Sequence, residues 1–127
     1  MDASNRRRRT RVNFRTKVDV QTTGARLVDV ESRDLSHKGL YLVGDLPLKA
    51  GQGCTLTVHL VGEDENAPVL HMEGRIIRAD RQGTAIDFVS MDAETYMHLR
   101  NLVIFNAPDP EAAEQEFATP AFEITGE

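Results

Sequence analysis

The chain contains no tryptophan and a single cysteine, Cys54, among its 127 residues. A lone cysteine excludes an internal disulfide and a cysteine-cluster zinc site. Inside an alternating segment it reads as a small buried apolar residue. No apolar run approaches the ~20 residues of a membrane-spanning helix. The N-terminus carries an arginine run with no apolar segment behind it, which is not the pattern of a secretory signal, so a cytoplasmic location is expected. The nine glycines are scattered, and none is arranged between strand and helix as a phosphate-cradling loop requires. His37, His59, His71 and His98 fall on separate segments without paired ligand spacing, which argues against a metal site or a catalytic base. Ser36 and His37 are adjacent, a poor geometry for a nucleophile and its base. These absences disfavour an enzyme, and no cofactor is called for.

What is present fits one domain: the length is that of a single unit, and with 40% apolar and 28% charged residues a single modest core can form. The net charge of -5 hides an uneven distribution. Residues 1–20 carry seven basic side chains against two acidic, a local +5; residues 21–106 carry eight against twelve; residues 107–127 carry six acidic and none basic. The whole-chain value argues against a polyanionic ligand, while the first twenty residues argue for one.

Period-two alternation dominates the middle of the chain. Val12, Phe14, Val18 and Val20 alternate with Asn13, Arg15, Lys17 and Asp19, the pattern of a half-buried strand. After turn residues Thr22-Thr23-Gly24, Val28 and Val30 oppose Asp29 and Glu31, which suggests an antiparallel hairpin. Leu40 to Val43 is a short apolar strand. Leu56, Val58 and Leu60 share one face of Thr55 to Val61. Val69 to Arg78 and Thr84 to Val89 flank a glycine-ended turn, Ala79 to Gly83. About six short, closely spaced strands predict an antiparallel barrel or sandwich. One helix follows from Asp92, a candidate N-cap, to Phe105, with Tyr96, Leu99, Leu102 and Val103 at helical spacing. Residues 107–127, rich in Pro, Ala, Glu and Thr, read as an acidic disordered tail outside the core, although Phe117, Phe122 and Ile124 offer material to cap the barrel or to self-associate.

Two segments carry chemistry. Arg6, Arg7, Arg8, Arg9 and Arg11 place five guanidiniums in six positions, and guanidinium suits bidentate capture of phosphate and of the O6/N7 edge of guanine. The loop Asp34-Leu-Ser36-His-Lys-Gly39 supplies the complement: a carboxylate can accept from guanine N1 and N2, a serine hydroxyl can both donate and accept, and Gly39 permits an unusual backbone angle or a close ligand approach. Alone, each segment also fits a bland alternative, a solvated basic arm and a turn bonded to its own backbone.

In combination, Arg7-x-x-x-Arg11, a hairpin and Asp34-x-Ser36-x-x-Gly39 followed by an apolar strand resemble the PilZ domain, a family of small six-stranded barrels that bind the bacterial second messenger cyclic di-GMP. The resemblance covers residues ~6–105 and extends to Leu46-Pro-Leu-Lys-Ala-Gly51, Glu73-Gly-Arg-Ile-Ile77, the Gly83 to Phe88 strand and the closing helix. One departure is Ala85, where many members have glycine. The resemblance implies an all-β fold with one C-terminal helix, built as a flexible arginine-rich arm (1–11), a six-stranded antiparallel barrel with its helix (12–106) and the tail (107–127). It further implies that Arg7 and Arg11 hold the phosphates and guanine faces and that Asp34, Ser36 and Gly39 cradle the ligand; Arg6, Arg8 and Arg9 are candidate electrostatic helpers beside them. The expected function is a cyclic di-GMP receptor that changes conformation and signals to a protein partner. The competing assignments are a nucleic-acid-binding β-barrel, which the scarcity of aromatics disfavours, and a PilZ-like adaptor that has stopped binding nucleotide.

Overall fold

The computed structural model describes residues 16–60, 69–118 and 122–125. The arm residues Arg6, Arg7, Arg8, Arg9 and Arg11 and the start of the first expected strand, Val12 to Arg15, lie outside the described residues. The elements are β1 (Thr16–Gln21), β2 (Arg26–Arg33), β3 (Gly39–Val43), β4 (Gly53–Leu60), β5 (Val69–Ala79), β6 (Gly83–Asp92), α1 (Ala93–Asn106), α2 (Pro110–Glu116) and β7 (Glu123–Thr125).

The first six strands run antiparallel in the order β3-β2-β1-β4-β5-β6, and a further β3–β6 pairing closes them into a barrel. Alternation makes this closure possible, because each strand sends every second side chain inward. Val18 and Val20 of β1, Leu56 and Val58 of β4, Leu70, Met72 and Ile76 of β5, and Ile86 and Phe88 of β6 are all buried. Cys54 belongs to the same interior, and burial pushes its thiol up to about 11. It is a packing residue rather than a nucleophile.

In β2 the simple alternation breaks. Val28 was expected to share the inner face with Val30, yet it is 59% exposed. Val18 pairs with Val30 but Val20 pairs with Leu27, so two residues, Val28 and Asp29, stand opposite Asp19 alone. This β-bulge moves Leu27 to the inner side, and Asp29 takes up the strain with a φ of 57°. The Asp19 carboxylate anchors the bulge by accepting from the Asp29 N–H at 3.0 Å, and it also meets His59 Nε2 at 3.0 Å.

That backbone donor first, and the histidine second, hold the Asp19 carboxyl below its ordinary range. A group with a depressed folded pKa contributes stability that is fully present above its unfolded value, about 4, and lost as pH falls through the folded value. Asp19→Asn is therefore expected to lower the melting temperature at pH 7, with the gap to wild type narrowing below about pH 4. A gap that stays constant from pH 7 to pH 2.5 in a series of thermal melts excludes this role.

The helix start is as expected: Asp92 caps α1, its carboxylate accepting from the Thr95 N–H at 2.8 Å. Tyr96, Leu99 and Val103 face the barrel and are buried, while Met97 and Phe105 point outward.

The acidic segment does not stay outside the core. Asp109 caps α2, Pro110 occupies its first turn, and Ala113 and Phe117 are 0% and 5% exposed. Phe122 packs edge-on against Phe88 and Tyr96, and β7 pairs in parallel with Ser90 to Asp92 of β6. The physical reason is that few apolar residues suffice when all of them fall on the inner face. Of the two uses expected for Phe117, Phe122 and Ile124, capping the barrel is the one observed.

Candidate functional site

The loop Asp34 to Lys38 joins β2 to β3 beside the barrel seam. Leu35 is completely buried and fastens the loop to the core. Asp34 leads into the turn with a φ of 57°, a left-handed conformation that aspartate tolerates better than most residues. The left-handed backbone expected at Gly39 is not found; the missing side chain instead makes room for the barrel's own backbone. Gly39 pairs with Asp87 across the β3–β6 seam, and an added Cβ would overlap the carbonyl oxygen of Ile86.

Ser36 is 1% exposed, and its hydroxyl is used inside the loop. It accepts from the N–H groups of Lys38 at 3.1 Å and Gly39 at 3.2 Å and donates to the Gly39 carbonyl at 3.2 Å. A hydroxyl has one donor and two acceptor sites. Three contacts occupy them, so Ser36 fixes the shape of the loop and leaves the exposed Asp34 carboxylate as its outward polar group. The Phe88 N–H donates to the Lys38 carbonyl at 2.7 Å, tying the far side of the loop to β6.

Asp34, Ser36 and Gly39 line one open pocket of about 240 Å³, so the three loop residues singled out in the sequence come together. The arginines expected beside them lie outside the described residues. The rest of the wall includes residues that sequence reasoning missed: Tyr41 of β3, Ala85 and Asp87 of β6, and Arg78 of β5. Arg78 contributes a guanidinium to a wall that also holds the carboxylates of Asp34 and Asp87, and Lys38 Nζ stands 4.0 Å from Asp87. Only the register across strands unites these positions, and a single sequence carries no direct signal for register.

The C-terminal segment packs on the back of the same loop. The His37 ring meets Phe117 edge-on at 5.6 Å, and its Nδ1 lies 3.4 Å from the Glu116 carboxylate. The Tyr96 hydroxyl donates to the Phe117 carbonyl at 2.7 Å. Burial raises the Tyr96 phenol above its ordinary value, which keeps it a donor. Among the described residues, no group of three or more His, Cys, Asp or Glu side chains is arranged to hold a metal ion, and no helix is long and apolar enough to cross a membrane.

Among curated proteins no match is found. Among solved structures, the chain is similar to the Bacillus subtilis inhibitor of motility, MotI/DgrA, with a TM-score of 0.65 at 18% identity over 78% of this chain. The chain spans 50% of the length of that structure, and at this identity the likeness concerns the fold. The family model described as the PilZ domain matches residues 5–105, which takes in both the arginine run and the Asp34 loop. With the six-stranded closed barrel, the added strand and the C-terminal helix in agreement, the chain belongs to the PilZ domain family.

Proposed function

We propose that the protein is a cyclic di-GMP receptor that catalyses no reaction and passes the binding event to a protein partner. The observation that carries this is the convergence of Asp34, Ser36 and Gly39 on one pocket in a chain of this family. Asp34 offers its carboxylate to the N1 and N2 donors of a guanine, and Ser36 and Gly39 hold the loop in the conformation that presents it.

The arm completes the site. A pocket of about 240 Å³ is smaller than the ~300–1,000 Å³ common for small-molecule sites, so a dinucleotide needs a further wall. The start of β1 supplies the reach. Thr16 pairs with Ser32, their hydroxyls 2.7 Å apart, and Ser32 stands two positions before Asp34. Arg11 lies five residues before Thr16, within about 17 Å of extended chain. Arg7 and Arg11 then pair with the phosphates and stack on or bond to the guanines. Folding the arm costs about 1–2 kcal/mol per residue, offset when several charge-assisted bonds form together. The ordered arm is the surface a protein partner reads.

Titration calorimetry with cyclic di-GMP is expected to show binding to the wild type and at least tenfold weaker binding to Arg11→Ala and to Asp34→Ala. Wild-type affinity in both variants removes the assignment. A steep fall of affinity for RNA with salt, combined with indifference to Asp34→Ala, points instead to a nucleic-acid-binding barrel.

A further inference from the structure

Two bulky apolar side chains of α1 are left outside the core: Phe105 is 89% exposed and Met97 52%. At about 100° per residue, Met97, Asn101, Ile104 and Phe105 fall within about 100° of one another around the helix. They lie opposite Tyr96, Leu99 and Val103, which face the barrel. Asn101 is exposed and Ile104 half-buried, so an apolar stripe with one amide at its centre runs along the outer side. Its two ends, Met97 and Phe105, stand about 12 Å apart along the axis, just over two helical turns.

The rim of this stripe is acidic. Only Ala107, Pro108 and Asp109 separate α1 from α2, and the Arg100 guanidinium, 3.1 Å from the Glu114 carboxylate, holds the two helices side by side. Glu94 on α1, with Asp109, Glu111 and Glu114 at α2, presents exposed carboxylates. The cations nearby are engaged: Arg100 by Glu114, and His98, 3.8 Å from Glu94, within α1 itself. Neither helix has a basic residue in its last turn. The negative end of the α1 dipole, beside Phe105, is therefore not compensated from within. This charge also argues against a second copy as the occupant. Two α1 faces joined by a two-fold axis keep α2 on the same side in both copies, so the α2 carboxylates would meet their own duplicates.

We propose that the outer face of α1 is a docking surface for a basic amphipathic helix of a protein partner. Apolar side chains two turns apart on that helix pack on Met97 and Phe105, a helix laid along an apolar groove. Its lysines or arginines meet the α2 carboxylates and the carbonyl end of α1. The opposite side of α1 leads to the Asp34 loop, since Tyr96 bonds the Phe117 carbonyl and Phe117 packs on His37. One helix thus stands between the docking face and the pocket. The docking itself needs no nucleotide, so the proposal stands apart from the cyclic di-GMP reading.

The test uses the full chain without nucleotide and two labelled helical peptides of one pattern, leucine with lysine and leucine with glutamate, followed by fluorescence anisotropy. Binding is repeated with Met97→Ser, with Phe105→Ser and with Glu111→Gln and Glu114→Gln combined. Met97 and Phe105 point outward, so their variants are expected to melt with the wild type. The expected result is that the lysine peptide binds, that the glutamate peptide binds at least tenfold more weakly, and that Phe105→Ser weakens lysine-peptide binding at least tenfold. Met97→Ser and the glutamine pair weaken it several-fold, and the amide shifts caused by the peptide fall on α1 and α2. Phe105→Ser within threefold of wild type, or equal binding of the two peptides, overturns the proposal. Sedimentation of the free chain as a dimer that Phe105→Ser dissolves assigns the face to a second copy and overturns it as well.

Discussion

Gly39→Ala is expected to destabilise the protein by about 3 kcal/mol, at the upper end of the usual range for overpacking, and to lower its melting temperature by on the order of 10 °C. The new Cβ would meet the carbonyl oxygen of Ile86, and a backbone oxygen in a paired strand cannot rotate away as a side chain can. Nor can Gly39 retreat. Its carbonyl accepts from the Ser36 N–H at 2.9 Å, its own N–H donates to Ser36 Oγ at 3.2 Å, and Lys38 is tied to Phe88. Relief therefore requires β3 to lift from β6 along the seam that closes the barrel. The same displacement moves Asp34 and Tyr41 relative to Arg78, so affinity for the proposed ligand is expected to fall with stability. Gly53→Ala is the control, since an added Cβ there meets nothing within 4 Å. Equal melting temperatures for the two variants exclude the close approach.

Gly39 also shows where sequence reasoning stops. Its motif was legible, and so were most strands, because Val18 and Val20, Leu56 and Val58, or Leu70 and Met72 repeat at the period of the pleat. Its cause was not legible, since the crowding atom belongs to β6, far along the chain. Among the described residues positive φ appears instead at Gly44 and Gly51 and at two non-glycine residues, Asp29 and Asp34. The β2 bulge was hidden for a related reason: Val28 and Val30 alternate perfectly in sequence, and only pairing with β1 shows that Val28 has been turned outward. The candidate site divides along the same line. Asp34, Ser36 and Gly39 fall within six residues and could be found by eye, whereas Tyr41, Ala85 and Arg78 meet only through the register of three strands.

The C-terminal segment leads to the second large effect, because its composition misdirects. Glu111, Glu114 and Glu116 give it the look of a solvated tail, yet Asp109-Pro110 is a sound helix start, a capping carboxylate followed by a residue with φ preset for the first turn. Ala113 and Phe117 are four apart and so fall on one face, and a helix of two turns needs no more. Phe117→Ala is accordingly expected to cost about 3–4 kcal/mol in urea unfolding, as for other buried phenylalanines. The ring is 5% exposed and stands between Tyr96 at 5.5 Å and His37 at 5.6 Å. The Tyr96 bond to the Phe117 carbonyl survives the substitution, since it uses the backbone, so the loss measures packing. Because His37 belongs to the Asp34 loop, removing the ring beneath it also frees that loop. The amides of Lys38 and Gly39, held on Ser36 Oγ, are then expected to exchange with solvent faster relative to those of β4, which lies on the far side of β1. A cost below about 1 kcal/mol, the range of ordinary surface changes, returns the segment to the role its composition suggests. Unchanged loop exchange alongside a large loss of stability separates the two halves: Phe117 then supports the core without bracing the site.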